Sequence, residues 1–191
     1  MWLLVVILIV VAFLALLSSL YALAVSGVPV VRTPAEFLPK IAAEVGGGKG
    51  TTIVDAGCGD ARALLAFCTT AGVRGRGYEL NGPVWLAGLA RVLFAGEAGR
   101  VKVYWKNFFR CELEDVDVVY CHLMPAVMAR IGAKCSEEMR AGTRLLSYLW
   151  EVPGWIPLKT VKLGSRQDPL FVYEIPPRCQ ENVPLDYRPK T

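Results

Sequence analysis

The longest apolar run in this 191-residue chain comes first: from Trp2 to Val25 no side chain is charged, and the first charge is Arg32. About 20 apolar residues cross a bilayer's hydrocarbon core, so the run is long enough to span one with some tilt. Ala22-Leu23-Ala24 has the look of a cleavage site, the alternative being a removed leader. The lack of a basic start and the length of the run favour a retained anchor. After a short linker, Thr33-Pro34-Ala35-Glu36 has the spacing of a capping box with proline at the first helical position. It predicts a helix toward Val45, kinked or shortened by Pro39 and stopped by Gly46-Gly47-Gly48. From Thr51 the pattern changes to short apolar runs alternating with helical periodicity. Thr51 to Asn81, TTIVDAGCGDARALLAFCTTAGVRGRGYELN, reads as strand, glycine turn, helix, strand. Pro83–Phe94 predicts a helix and Val101–Trp105 a third strand; Val116–Cys121 is a fourth, continuously apolar as suits burial on both faces. Ala126–Met139 predicts a helix ended by Gly142, Leu145–Trp150 a fifth strand, and Lys159–Leu163 and Pro169–Glu174 a closing pair. Such alternation defines a doubly wound, Rossmann-like α/β sheet. The expected division is a transmembrane anchor at 2–25, a linker and lead-in helix at 26–50, the α/β domain at 51–175, and a mobile tail rich in proline and charge at 176–191.

Two parallel strands joined by a crossover helix set their carboxyl ends side by side, which makes a nucleotide crevice. Gly57 and Gly59 let the turn after the first strand approach a ligand without a Cβ in the way, and Glu79 ends the second strand, where a carboxylate accepts from ribose hydroxyls. A dinucleotide fingerprint requires a third glycine where this chain has Arg62, which argues against NAD(P). What remains is D-x-G-x-G, with Asp55 at the strand end. That carboxylate repels a pyrophosphate but suits a ligand bearing an ammonium group, as S-adenosylmethionine does. A phosphate-loop reading of GGGKGTT fails, because a helix precedes that string and a strand follows it.

These residues resemble the class I (seven-β-strand) S-adenosylmethionine-dependent methyltransferases. The match is nearer to a membrane-anchored branch that includes the mitochondrial lysine methyltransferases of the ADP/ATP carrier and of the ATP synthase c subunit, with prokaryotic relatives. Its pattern is carried by Val28-Pro29-Val30-Val31-Arg32-Thr33-Pro34, by Asp55 to Arg62, and by Gly77 to Asn81 after the anchor. The resemblance covers roughly residues 28–175. It implies a seven-stranded sheet with an antiparallel last strand, S-adenosylmethionine as cofactor, and a lysine of a membrane protein as methyl acceptor. Ala61 departs from it, standing where the branch has a third glycine, with a methyl expected to narrow the cofactor pocket.

The net charge of +4 lies wholly outside the apolar run. It suits work beside anionic headgroups but is no nucleic-acid footprint, which needs a clustered basic face. Arg32 and Lys40 follow the span, so the domain should face the cytoplasm, or the matrix in a mitochondrion. Six cysteines show no C-x-x-C or metal-like spacing, which fits buried thiols in a reducing compartment and no metal site.

Candidate cofactor ligands are Asp55, Gly57, Gly59, Asp60, Glu79, Asn107 and Phe108. Asp60 is read either as a cap for the following helix or as a contact for the methionine moiety, and Arg62 either as the branch's arginine or as a surface cation. Asn107 and Phe108 lie after the third strand, where such enzymes bind adenine; the usual residue there is acidic, and Phe108 or Phe109 as plain core is the stronger reading. The fourth strand leads into Tyr120-Cys121-His122-Leu123-Met124-Pro125, without the N/D-P-P-Y/F of enzymes that methylate base amino groups. Tyr120 and His122 are the catalytic candidates. His122, the lone histidine, either takes a proton from a substrate amine or is satisfied locally at the strand end. Asp117 and Tyr120 have a D-x-x-Y spacing known from some lysine methyltransferases, but that motif belongs after the strand and Asp117 opens it. Trp150 and Trp155 either line a substrate channel or are core or interfacial. Besides a lysine methyltransferase, the sequence admits a lipid or quinone acceptor, or a catalytically idle binding module.

Overall fold

The computed structural model describes residues 1–26 and 31–177. Part of the Val28–Pro34 lead-in, most of the 176–191 tail and Cys179 therefore lie outside the described residues. The first helix, α1 (Trp2–Ser26), carries no charged side chain and is exposed along nearly its whole length. At 1.5 Å per residue its 23-residue apolar stretch, Trp2–Ala24, measures roughly 35 Å. The stripe Ala15–Ser18–Ser19–Ala22, at helical i, i+3, i+4, i+7 spacing, turns toward the α/β body.

The capping box does not form. Thr33 sends its hydroxyl elsewhere, a single 3-10 turn occupies Ala35–Phe37, and α2 (Leu38–Val45) starts afresh with Pro39 in its first turn. Gly46 stops it at φ 59°, and the Arg144 guanidinium donates to the last carbonyls, Glu44 O and Val45 O. The remaining elements are β1 (Thr52–Ala56), α3 (Arg62–Ala71), β2 (Arg74–Glu79), α4 (Gly82–Phe94), β3 (Val101–Trp105), β4 (Val118–Cys121), α5 (Pro125–Glu138), β5 (Arg144–Tyr148), β6 (Lys159–Leu163) and β7 (Asp168–Glu174). The fourth strand starts two residues later than its apolar run suggests, because Asp117 is used to accept from Thr52 N and from Arg140. The helix after it ends at Glu138, short of Gly142.

All seven strands form one sheet in the order β3-β2-β1-β4-β5-β7-β6, with β7 antiparallel to both neighbours. Alternate residues feed two cores. Val118 and Tyr120 of β4 join α2 and α3 on one face, and Val119 and Cys121 join α5 on the other. The strand order reverses between β1 and β4, the switch point at which open α/β sheets hold their ligands.

Candidate functional site

At that switch point lies a cavity of about 390 Å³. The cofactor and catalytic candidates named from sequence all border it: Asp55, Gly57, Gly59, Asp60, Glu79, Asn107, Phe108, Tyr120 and His122. Its floor is the turn from β1 to α3. Gly57 stands at φ 83°, and a Cβ there would come within 2.9 Å of a methyl of Leu123, so only glycine keeps this edge open. Glu79, at the end of β2, braces the turn: its carboxylate accepts from Gly59 N at 3.0 Å and from Asn81 N at 2.7 Å. A carboxylate has about four acceptor positions, so capacity for hydroxyl donors remains on the same oxygens.

Asp55 is almost wholly buried beside Glu79, and its pKa is pushed up to about 8, first by burial and then by the Glu79 charge. Such a carboxyl ionises readily only when a cation arrives. The cradle and the carboxylate pair fit a ligand that carries an ammonium group and a ribose.

Asp60 caps nothing. Its carboxylate pairs with Arg91 of α4 at 3.0 Å and with Arg32 at 3.3 Å, while α3 has Ala61 at its N-cap with no side-chain bond. Ala61 adopts φ 57°, the conformation the missing glycine would take freely. Its methyl does not narrow the cavity: the residue is fully buried in the core, beside Gly88 of α4. Gly88 is what admits it, since a Cβ there would sit 3.3 Å from the Ala61 methyl and 3.2 Å from Gly59 O. Arg62 is no idle surface cation, for it donates to Thr33 O at 3.0 Å.

On the far side, Asn107 accepts from Phe109 N at 2.9 Å, which starts a short 3-10 turn. Phe108 has both roles: it is buried in the core against Tyr78 and borders the cavity. The guanidinium of Arg130 lies 4.0 Å over the Phe109 ring at the same margin.

The end of the cavity at β4 is tied together by a residue whose sequence spacing suggests only a helix cap. Thr33 Oγ1 is 2.7 Å from the Tyr120 hydroxyl and 3.3 Å from His122 Nδ1. Burial raises the pKa of Tyr120 well above that of a free phenol, so its proton stays on. Burial lowers that of His122, which is neutral at pH 7. Trp150 and Trp155 stay out of the cavity; Trp155 packs edge-on against Tyr173 at 5.7 Å, and Trp150 offers its carbonyl to Ser147. The remaining wall comes from α1 through Ser19, Ala22 and Leu23. The sequence signal for it is the pair of serines in an otherwise aliphatic run, but nothing in their spacing says what they touch. The five described cysteines are buried and free, and the described residues contain no metal-holding cluster.

A seven-stranded sheet with β7 reversed, a glycine turn at its switch point and an acidic end to β2 define a class I S-adenosylmethionine-dependent methyltransferase. Residues 55–159 match the ANTKMT methyltransferase domain, and the chain belongs to that family of S-adenosylmethionine-dependent protein-lysine methyltransferases. A protein-lysine N-methyltransferase of Saccharolobus islandicus is 27% identical over 151 residues, 78% of this chain and 94% of the relative. The adenine nucleotide translocase lysine N-methyltransferase of Mus musculus is 34% identical over 67% of this chain. The lysine N-methyltransferase of the ATP synthase c subunit from Rattus norvegicus is 28% identical over 64%. The chain spans about half the length of these mammalian relatives, 55% and 56%. Among solved structures, an RNA methyltransferase from Salinibacter ruber in complex with S-adenosyl-L-homocysteine superposes with a TM-score of 0.73 at 25% identity, over 82% of this chain and 98% of that one. An S-adenosylmethionine-dependent O-methyltransferase from Thermotoga maritima shares the fold, with a TM-score of 0.62 at 14% identity over 80% of this chain and 69% of that one.

Proposed function

We propose that this methyltransferase methylates a lysine ε-amine of a membrane protein from a position at the bilayer surface, with α1 as its anchor. The observation that carries this reading is the wall of the cavity: Ser19, Ala22 and Leu23, at the end of a helix apolar enough to span a membrane, border the same space as Asp55 and Glu79. Relatives named for lysines of adenine nucleotide translocase and of the ATP synthase c subunit support the choice of acceptor. Arg32 and Lys40, which follow the span, support a cytoplasmic or matrix-side domain.

When bound, the cofactor supplies an electrophilic methyl that an amine takes by in-line displacement. The protein's part is to bind, align and exclude water. Asp55 would accept from the ammonium group of the bound cofactor, Glu79 would take its ribose hydroxyls, and Asp60 would serve its methionine moiety. Asn107 and Phe108 offer an amide and a ring face to the adenine. Tyr120, held protonated, donates to Thr33, which fixes the acceptor end. With Nδ1–H directed at Thr33 Oγ1, His122 has its Nε2 lone pair free to receive the proton that the amine gives up.

The test is to incubate the full chain and its Asp55→Ala variant with methyl-labelled cofactor and native membranes, then separate protein, organic extract and RNA. Label in protein, lost in the variant, is the expected result. Label in the organic extract would instead assign a lipid or quinone acceptor, and label in RNA would move the chain toward the Salinibacter neighbour's activity.

A further inference from the structure

We propose that α4 and the neighbouring edge strand β3 form a second membrane contact, a face that sits in the headgroup–acyl boundary of the bilayer α1 enters. The proposal rests on α1 being a membrane anchor, and its test is built to fail separately from that reading.

Helix α4, GPVWLAGLARVLF, has one charged residue in thirteen. That residue, Arg91, turns to the body and holds Asp60 by its carboxylate and its carbonyl. What the helix leaves outside is apolar: Leu86 is 58% exposed, Leu93 57% and Phe94 93%. Alongside, Trp105 at the end of β3 is 60% exposed, with its ring stacked on Trp85 at 5.9 Å. Both indole N–H groups are satisfied by backbone, Trp85 by Val103 O and Trp105 by Leu80 O, so the ring edges are held in place. A surface helix of a water-soluble domain ordinarily puts several charges on its outer face; this one has only Arg91, 43% exposed and already paired with Asp60.

The occupant follows from what the face adjoins. Ser18 Oγ accepts from Gly82 N at 3.1 Å, and Ser19 Oγ lies 3.4 Å from Asn81 Oδ1, so α4 begins against the last turns of α1. Gly82 permits the approach, because a Cβ there would lie 2.8 Å from Ser18 Oγ and 3.2 Å from the Trp105 ring. Trp105 thus stands beside the last turns of α1, with Lys106 next to it in sequence, as tryptophan and lysine do at a membrane–water interface. Trp2 marks the other end, and the sixteen residue steps from Trp2 to Ser18 rise roughly 24 Å, most of the about 30 Å of a hydrocarbon core. A domain fixed to the span at this point cannot hold α4 a linker's length from the lipid. The apolar outer face of α4 and the ring of Trp105 therefore continue the lipid-facing surface of α1 into the interface, and the cavity that Leu23 borders opens at headgroup level.

The test uses the full chain in nanodiscs of phosphatidylcholine with phosphatidylglycerol, carrying a photoreactive benzoylphenylalanine at one position: 8 in α1, 86 or 94 in α4, or 162 on β6 at the opposite edge of the sheet. Irradiation is expected to give lipid adducts at 8, 86 and 94 and none at 162, read by mass spectrometry. Adducts at 8 but not at 86 or 94 would overturn this proposal and leave the anchor standing. No adducts at 8 would overturn both. Adducts to another protein at 86 and 94 in native membranes, in place of lipid, would make the face a protein-docking surface and also overturn it.

Discussion

Asp55 is the residue whose chemistry is most constrained. In the ligand-free fold it holds its proton up to about pH 8, whereas a free aspartate loses it near 3.8. The stability this contributes is fully present below 3.8 and is lost as pH climbs through 8, since the unfolded chain ionises first and the folded one must then follow at a cost. Asp55→Asn is therefore expected to raise the melting temperature of the ligand-free protein, by more at pH 9 than at pH 6. Cofactor binding runs the opposite way, because an ammonium group needs the ionised form. The affinity of the wild type relative to Asp55→Asn is expected to rise with pH and level off above 8, with up to about tenfold lost per unit below it. Calorimetric titration of both proteins across pH checks this, and the cofactor's own ionisation cancels in the ratio. Glu79→Ala removes the brace on Gly59 N and Asn81 N together with the hydroxyl acceptor. Two charge-assisted hydrogen bonds at about 1.5 kcal/mol each put the expected loss of cofactor affinity at roughly a hundredfold. Ala61→Gly relaxes a left-handed alanine but leaves the cavity as it is, so affinity is expected to stay within about twofold.

Among the elements, α4 carries most of the dependence. It seats Gly88 on the backbone of the glycine turn, supplies Arg91 to Asp60, and meets α1 through Gly82. Gly88→Val would drive a branched side chain into Gly59 O and the Asp60 carbonyl carbon, both 3.2 Å from a Cβ. It is expected to destabilise the fold by about 1–3 kcal/mol, as overpacking does, and to weaken cofactor binding with it, measured by denaturant unfolding and titration. The strands and helices were legible in the sequence because apolar runs and glycine stops set them locally: β3 (Val101–Trp105) and β6 (Lys159–Leu163) fall where the pattern put them. The glycine turn and the carboxylates beside it were legible for a related reason, since they lie within one βαβ unit. What could not be read were contacts distant in sequence. Thr33 has the spacing of a helix cap, yet its hydroxyl is taken by Tyr120, 87 positions on, and by His122. Ser18 and Ser19 meet Asn81 and Gly82 across more than sixty residues. Ala61 looked like an obstruction because its spacing gives no sign that Gly88 makes room for it. Trp150 and Trp155 follow the fifth strand as a channel lining would, but Trp155 is drawn into the core by Tyr173.

For the whole molecule, the proposed anchor would join the α/β domain to a bilayer. A tether alone would raise the effective concentration of a membrane-bound acceptor. A helix that also forms one wall of the cavity would make the proposed anchor part of the site, so loosening its seat on the domain should weaken binding even where the span itself is intact. Ser18→Leu with Ser19→Leu, which keeps α1 apolar but disrupts its seat on Asn81 and Gly82, is expected to leave the protein in the membrane after carbonate washing while weakening cofactor affinity severalfold. Unchanged affinity would separate the anchor from the site.

The most direct measurement of the central claim is the chemical identity of the transferred methyl's new bond. Membranes treated with the full chain and methyl-labelled cofactor are digested, and the labelled peptides are sequenced by mass spectrometry, with Glu79→Ala treated in parallel. The predicted result is label on a lysine ε-nitrogen of a membrane protein, at a residue lying near the headgroups, and its loss in the variant. Label on any other side chain, or on a lysine equally well in the variant, would contradict it.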